Sequence, residues 1–82
     1  SDRRGYLVLH LIGALARCGR EEAVPGLRSA CGHPDPAVRA DALSALAVID
    51  PVAGTEAALA ALADAEAAVR LRALSVLRTH AS

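Results

Sequence analysis

The chain has 82 residues, and its nine arginines balance nine acidic residues, so the formal net charge at pH 7 is zero. A nucleic-acid-binding domain usually carries an excess of positive charge on one face, and the absence of that excess argues against such a role. Hydrophobic residues make up 54% of the chain, but only one residue is aromatic. Alanine and leucine dominate, and both favour helices, so the composition predicts thin helical layers instead of one thick core.

Apolar periodicity and helix stop signals predict five helices and no strand. Asp35-Pro36 and Asp50-Pro51 each supply an N-cap followed by a proline at the first helical position. The connections are short, so consecutive helices are expected to lie antiparallel. The predicted spans are Arg4–Arg17, Glu21–Cys31, Pro36–Ile49, Pro51–Ala63 and Glu66–His80.

The apolar run from Tyr6 to Ala16 follows two arginines and therefore also resembles a secretory signal. It is too short to span a membrane, and it fits the register of the later helices at an offset of 34 residues. The two cysteines, Cys18 and Cys31, show neither metal-ligand spacing nor a pattern that supports a disulfide. We therefore expect a core helix in the first region, no membrane association and a cytoplasmic location.

A segment beginning at His33 recurs 31 residues later, with identical residues at Val38/Val69, Arg39/Arg70, Ala42/Ala73, Leu43/Leu74, Ser44/Ser75 and Leu46/Leu77. A fixed period of this size is typical of a solenoid, in which each unit buries its apolar face against its neighbours. The sequence thus predicts an all-α superhelix of about two and a half repeats, divided as 1–19, 20–49 and 50–82.

The chain starts without Met in the second helix of a repeat, so we expect it to be a piece of a longer protein. Its ends are expected to leave apolar residues such as Leu7 and Leu74 uncovered. Further repeats, another domain or a second copy of the chain could cover them.

These motifs resemble HEAT repeats, in particular the short bacterial type found in relatives of phycobilisome lyases. Pro25 matches the proline of the first helix in a repeat, and Val38-Arg39 matches the Val-Arg that opens the second. In the next unit Asp64 matches the turn aspartate, whereas Glu56 replaces the proline. The resemblance implies an α-solenoid that serves mainly as a scaffold for protein–protein contacts.

The resemblance also implies bonds between the turn aspartate and the Val-Arg arginine, within a repeat or across repeats. Asp64 and Arg70 are expected to form such a pair. His33 stands where the first turn aspartate belongs, so Arg39 is expected to pair more weakly, or with Asp35 or Asp41.

No catalytic constellation is apparent, because the three histidines lie in separate regions and no nucleophile has a nearby base. We therefore expect no enzyme activity and no cofactor. In a solenoid the second helices line the concave side, and their residues outside the core form a candidate surface for a protein partner, unless that side is only a solvated face. The candidate residues are Tyr6, Leu7, His10, Asp41, Ser44, Arg72, Ser75 and Thr79.

Two other functions remain open from the sequence. An accessory subunit of a bilin lyase would need a chromophore-sized pocket, lined here by His10 and Cys18. A HEAT-like nucleic-acid-binding module is the other alternative, and its binding to DNA would depend on salt.

Overall fold

The computed structural model describes residues 20–80, which form four helices and no strand. None of these helices has the length and apolar character needed to cross a bilayer. The first predicted helix, Arg4–Arg17, lies outside the described residues. The four helices are α1 (Arg20–Ala30), α2 (Pro36–Ile49), α3 (Pro51–Ala61) and α4 (Ala67–His80).

The aspartate-proline signals predict helix starts correctly. The Asp35 carboxylate accepts a hydrogen bond from the Ala37 amide at 2.9 Å, and α2 has the predicted bounds. Asp50 ends α2 and also caps α3, because its carboxylate accepts a bond from the Ala53 amide at 3.2 Å. A single residue therefore joins these two helices and turns the chain sharply.

The other helix boundaries differ from the prediction by one or two residues. Helix α3 ends at Ala61 instead of Ala63, because the chain tightens there into bonds from the Ala63 amide to the Ala60 carbonyl and from Asp64 to Ala61. No glycine or proline marks that end in the sequence. Helix α4 begins one residue after Glu66, whose amide is instead bonded to the Asp64 carboxylate at 2.9 Å. Helix α1 is shifted by one residue at both ends.

Helix α2 packs against α1, α3 and α4, and α3 also packs against α4. The described residues thus form two hairpins, α1–α2 and α3–α4, stacked side by side. Two apolar clusters hold them together. The first lies among α1, α2 and the start of α3, and consists of Ala23, Leu27, Val38, Ala42, Leu46 and Ala53. The second lies among α2, α3 and α4, and consists of Ala40, Leu43, Ala47, Ala58, Val69, Ala73 and Val76.

Small residues allow α2 and α3 to approach each other closely. Gly54 is buried, and a Cβ atom placed on it would lie 2.7 Å from the backbone nitrogen of Ala47. Real side chains do not tolerate such a contact, so the spacing of these helices depends on the missing side chain. The composition predicts thin helical layers, and here Gly54 packs against Ala47 to form one.

Candidate protein-interaction surface

The predicted partner-binding residues within the described range lie on the two second helices, α2 and α4. We call their common side the α2–α4 face. It carries five of the predicted residues together with Val48, and comprises Asp41, Ser44, Val48, Arg72, Ser75 and Thr79. The other three predicted residues, Tyr6, Leu7 and His10, lie outside the described residues.

Arg72 brings part of this face together. Its Nη1 donates to the Ser44 hydroxyl at 2.9 Å and to the Asp41 carboxylate at 3.1 Å. The same nitrogen lies 3.3 Å from the carbonyl oxygen of Ala40, which accepts from it as well. Three predicted residues therefore form one polar network that links α2 to α4. Both charged side chains remain close to half exposed, so the network presents charge to solvent.

Ser75 and Thr79 lie further along α4 and do not join this network. The Thr79 hydroxyl donates to the Ser75 carbonyl oxygen at 2.9 Å, a bond within one helix turn. Val48 occupies the position on α2 that Thr79 occupies on α4, and it is strongly exposed. This part of the face thus combines hydroxyl groups with an uncovered aliphatic side chain.

The partner predicted for Arg39 from the sequence is wrong. Arg39 pairs neither with Asp35 nor with Asp41, but with Asp64 in the turn of the next hairpin. Nε and Nη2 of Arg39 each lie 2.9 Å from one oxygen of that carboxylate. Both side chains are largely buried, because the exposed fraction is 16% for Arg39 and 13% for Asp64.

The Arg39 guanidinium also donates hydrogen bonds within the turn that precedes α2. Nη1 of Arg39 donates to the carbonyl oxygens of His33 and Pro34, at 2.8 and 2.9 Å. One side chain therefore ties the turn of the first hairpin to the turn of the second. A signal for this contact exists in the sequence, because the turn aspartate follows the Val-Arg arginine of the preceding repeat by 25 residues.

This contact shifts the titration of both partners. The hydrogen bonds from Arg39, followed by the bond from the Glu66 amide, lower the pKa of the Asp64 carboxyl. The same hydrogen bond raises the pKa of Arg39 above its ordinary value. The pair therefore stays charged across the physiological range and acts as a fixed structural link.

The expected pair between Asp64 and Arg70 takes a different form. Nη1 of Arg70 donates to the backbone carbonyl oxygen of Asp64 at 2.7 Å, while the carboxylate is bound by Arg39. This backbone contact matches the one that Arg39 makes with His33 in the preceding turn. Arg39 and Arg70 thus donate in the same way to a carbonyl oxygen of their own turn, whereas the Asp64 carboxylate binds the arginine of the preceding repeat.

The turn between α1 and α2 contains two chemically reactive side chains, Cys31 and His33. Burial raises the pKa of the Cys31 thiol, although Arg28 opposes that effect, so the thiol is held in its protonated, weakly nucleophilic form. The imidazole Nδ1 of His33 accepts a bond from the Asp35 amide at 3.0 Å. Within residues 20–80 no three His, Cys, Asp or Glu residues are grouped as metal ligands.

A shallow hollow of about 270 Å³ lies between the start of α3 and the end of α4, lined by Pro51, Val52, Thr55, Glu56 and His80. It is wide open and mostly apolar, so this hollow does not enclose a cofactor. His10 and Cys18, the residues suggested for a bilin pocket, lie outside the described residues.

Comparison with known proteins agrees with this architecture. The profile of a family described as HEAT repeats matches residues 1–80. No curated protein and no solved structure matches the chain significantly. The matched range covers nearly the whole sequence and includes both stacked hairpins. The chain belongs to the HEAT-repeat family.

Proposed function

We propose that the chain is a non-catalytic scaffold that binds a protein partner on the α2–α4 face. HEAT repeats commonly mediate protein interactions, and the family is generally non-catalytic. The observation that carries the proposal is the contrast between core and face at equivalent repeat positions. Val38/Val69 and Ala42/Ala73 are identical and buried. On the face, Asp41 on α2 becomes Arg72 on α4, and only the Ser44/Ser75 position keeps its residue.

The geometry of the face supports this function. The Arg72 network fixes one positive and one negative group in place across two helices, so they lose little conformational freedom when a partner binds. Val48 lies two turns beyond Asp41 on the same helix and supplies apolar area beside these charges. A partner with one apolar anchor and complementary charges fits this combination.

The test begins with a photo-reactive residue at position 48, used to identify the partner, followed by binding measurements with the purified partner. We expect Arg72→Glu to weaken binding about tenfold or more, because it reverses a fixed charge in the contact area. Val48→Asp should act in the same direction. Isothermal titration calorimetry measures both effects.

Arg28→Glu is the matched control. Arg28 on α1 also forms an exposed inter-repeat ion pair, with Glu56 on α3 at 3.4 Å, but it lies on the side of the first helices. This variant should bind the partner as the unchanged chain does. Equal losses in Arg28→Glu and Arg72→Glu, or no loss in either, would overturn the proposed surface.

A further inference from the structure

Arg72 makes its contacts within residues 20–80 through a single nitrogen. Nη1 donates to the Ser44 hydroxyl, the Asp41 carboxylate and the Ala40 carbonyl oxygen, at 2.9, 3.1 and 3.3 Å. Nε and Nη2 have no acceptor in this part of the chain. The side chain is 39% exposed, so these two donors are available to a molecule that binds the α2–α4 face.

Arg39 shows what this edge of a guanidinium binds in the same chain. Its Nη1 is also occupied within its own repeat, by the carbonyl oxygens of His33 and Pro34. Its Nε and Nη2 each lie 2.9 Å from one oxygen of the Asp64 carboxylate. These two N–H groups are parallel and match the two oxygens of a carboxylate. Arg72 presents the same pair of donors on the α2–α4 face.

An exposed apolar side chain lies close to these donors. Val48 is 76% exposed, and it follows Ser44, which is bonded to Arg72, by four residues. The two residues lie on one side of α2, about 6 Å apart along its axis. A partner that contacts both Val48 and Arg72 therefore carries an acidic and an aliphatic side chain at about this separation.

We infer that the partner segment on the α2–α4 face is acidic, with an aspartate or glutamate whose two oxygens bind Nε and Nη2 of Arg72. An aliphatic side chain of the same segment packs against Val48. Nη1 stays bonded to Asp41 and Ser44, so the guanidinium is already oriented when the carboxylate arrives. This inference rests on the proposed function and adds to it the charge and spacing of the partner's residues.

Asp41 is the other charge of the network, and a basic partner would contact its carboxylate instead. We favour the acidic partner because Arg72 offers two parallel donors that fix the direction of a carboxylate. The two alternatives predict opposite effects of Asp41→Asn, which keeps an oxygen to accept from Arg72. An acidic segment should bind about twofold tighter or more, because a like charge beside its carboxylate is removed. A basic segment would bind more weakly.

Selection of random displayed peptides on the immobilised chain tests the inference without the natural partner. Peptides that also bind the Val48→Asp variant are discarded, so the α2–α4 face is the site selected. We expect the enriched peptides to carry Asp or Glu about two to four residues from Val, Ile or Leu. That spacing covers about 6–7 Å in an extended segment or in a helix.

Calorimetry with a synthetic enriched peptide then measures the contribution of the paired donors. Arg72→Lys keeps the positive charge but removes the paired N–H groups, so it should weaken binding about fivefold or more. Arg28→Lys is the matched control and should leave the affinity unchanged, because Arg28 lies on the side of the first helices. Circular dichroism of each variant checks that the helices are retained.

NMR spectra of the arginine Nε–H groups observe the contact directly. The Arg72 signal should move downfield when the peptide is added, because Nε–H then donates to a carboxylate. The Arg39 signal is the internal reference and should stay in place, since its Nε already donates to Asp64.

Four results would contradict the inference: no enriched peptide that depends on Arg72, enriched peptides without an acidic residue, equal affinity for the Arg72→Lys variant, or weaker binding to the Asp41→Asn variant. The proposed function fails separately. It requires only that the partner captured through position 48 lose affinity for the Arg72→Glu variant, whichever charge that partner carries.

Discussion

The two hairpins carry nearly the same apolar pattern, but they bury it differently. Leu43 and Leu74 are identical residues at equivalent positions, and the first is fully buried whereas the second is half exposed. Arg39 and Arg70 are likewise equivalent, and within residues 20–80 only Arg39 binds a carboxylate. The difference lies in the neighbour, since α1–α2 has a following hairpin and α3–α4 has none among the described residues. In a stack of repeats, burial is therefore a property of the junction more than of the single unit.

The largest loss of stability should come from shortening a leucine buried between the two hairpins, compared with the equivalent exposed leucine. We expect Leu43→Ala to cost about 2–5 kcal/mol of unfolding free energy, because it leaves a cavity between α2 and α4. Leu74→Ala should cost about 1 kcal/mol or less, since its side chain is already half solvated. Urea denaturation of both variants measures the difference. Equal costs would contradict the interpretation that the neighbour decides burial.

The next effect concerns the close approach of α2 and α3. Gly54→Ala should destabilise the fold, because overpacking costs about 1–3 kcal/mol and outweighs the gain of about 1 kcal/mol in helix propensity. Gly32→Ala is the control, since its Cβ would lie 3.6 Å from the Ser29 carbonyl oxygen, an ordinary contact. Thermal unfolding curves distinguish the two variants. A stabilised Gly54→Ala protein would mean that the helices can separate freely.

Acid should weaken the contact between the turns. The pKa of Asp64 is lowered in the folded state, so its contribution to stability is complete above the ordinary aspartate value and is lost as pH falls through the lowered value. Asp64→Asn keeps an acceptor for the Glu66 amide but removes the charge. The unchanged chain should therefore lose more stability than Asp64→Asn on acidification, as measured by urea denaturation at several pH values. Asp41→Asn should retain the steeper loss.

The smallest effect is expected at the exposed ion pair between the first helices. Arg28 and Glu56 have more than half of their side-chain surface in solvent, at 53% and 65%. Glu56→Gln should change the unfolding free energy by about 0.5 kcal/mol or less, because water and salt screen such pairs. Denaturation at low and high salt checks this expectation. A larger loss would show that α1 and α3 depend on this pair for their alignment.

The sequence predicted the fold well where a local signal exists. Asp35-Pro36 and Asp50-Pro51 mark helix starts through a cap and a fixed backbone angle, and α2 has the predicted bounds. The end of α3 was placed two residues too late, because alanines and leucines continue past Ala61 without a stop signal. Helix ends without glycine or proline depend on bonds that form only after the turn is made.

The candidate site was predicted less completely. The repeat register placed Asp41 and Arg72 at equivalent positions, but the bonds of Arg72 to Asp41 and Ser44 depend on how the hairpins pack. The partner of Arg39 was assigned wrongly for the same reason. Asp35 lies close to Arg39 along the chain, whereas the carboxylate that binds Arg39 belongs to the next hairpin. Repeat sequences specify positions within a unit better than contacts between units.

The central place of α2 has a consequence for the order of folding. It packs against α1, α3 and α4, and it contributes to both apolar clusters. Because neighbouring helices make most of these contacts, the chain can form them early and quickly. We expect folding to begin around α2, so changes in its buried residues should mainly slow folding. The helix that joins the two clusters would then also set the rate at which the stack assembles.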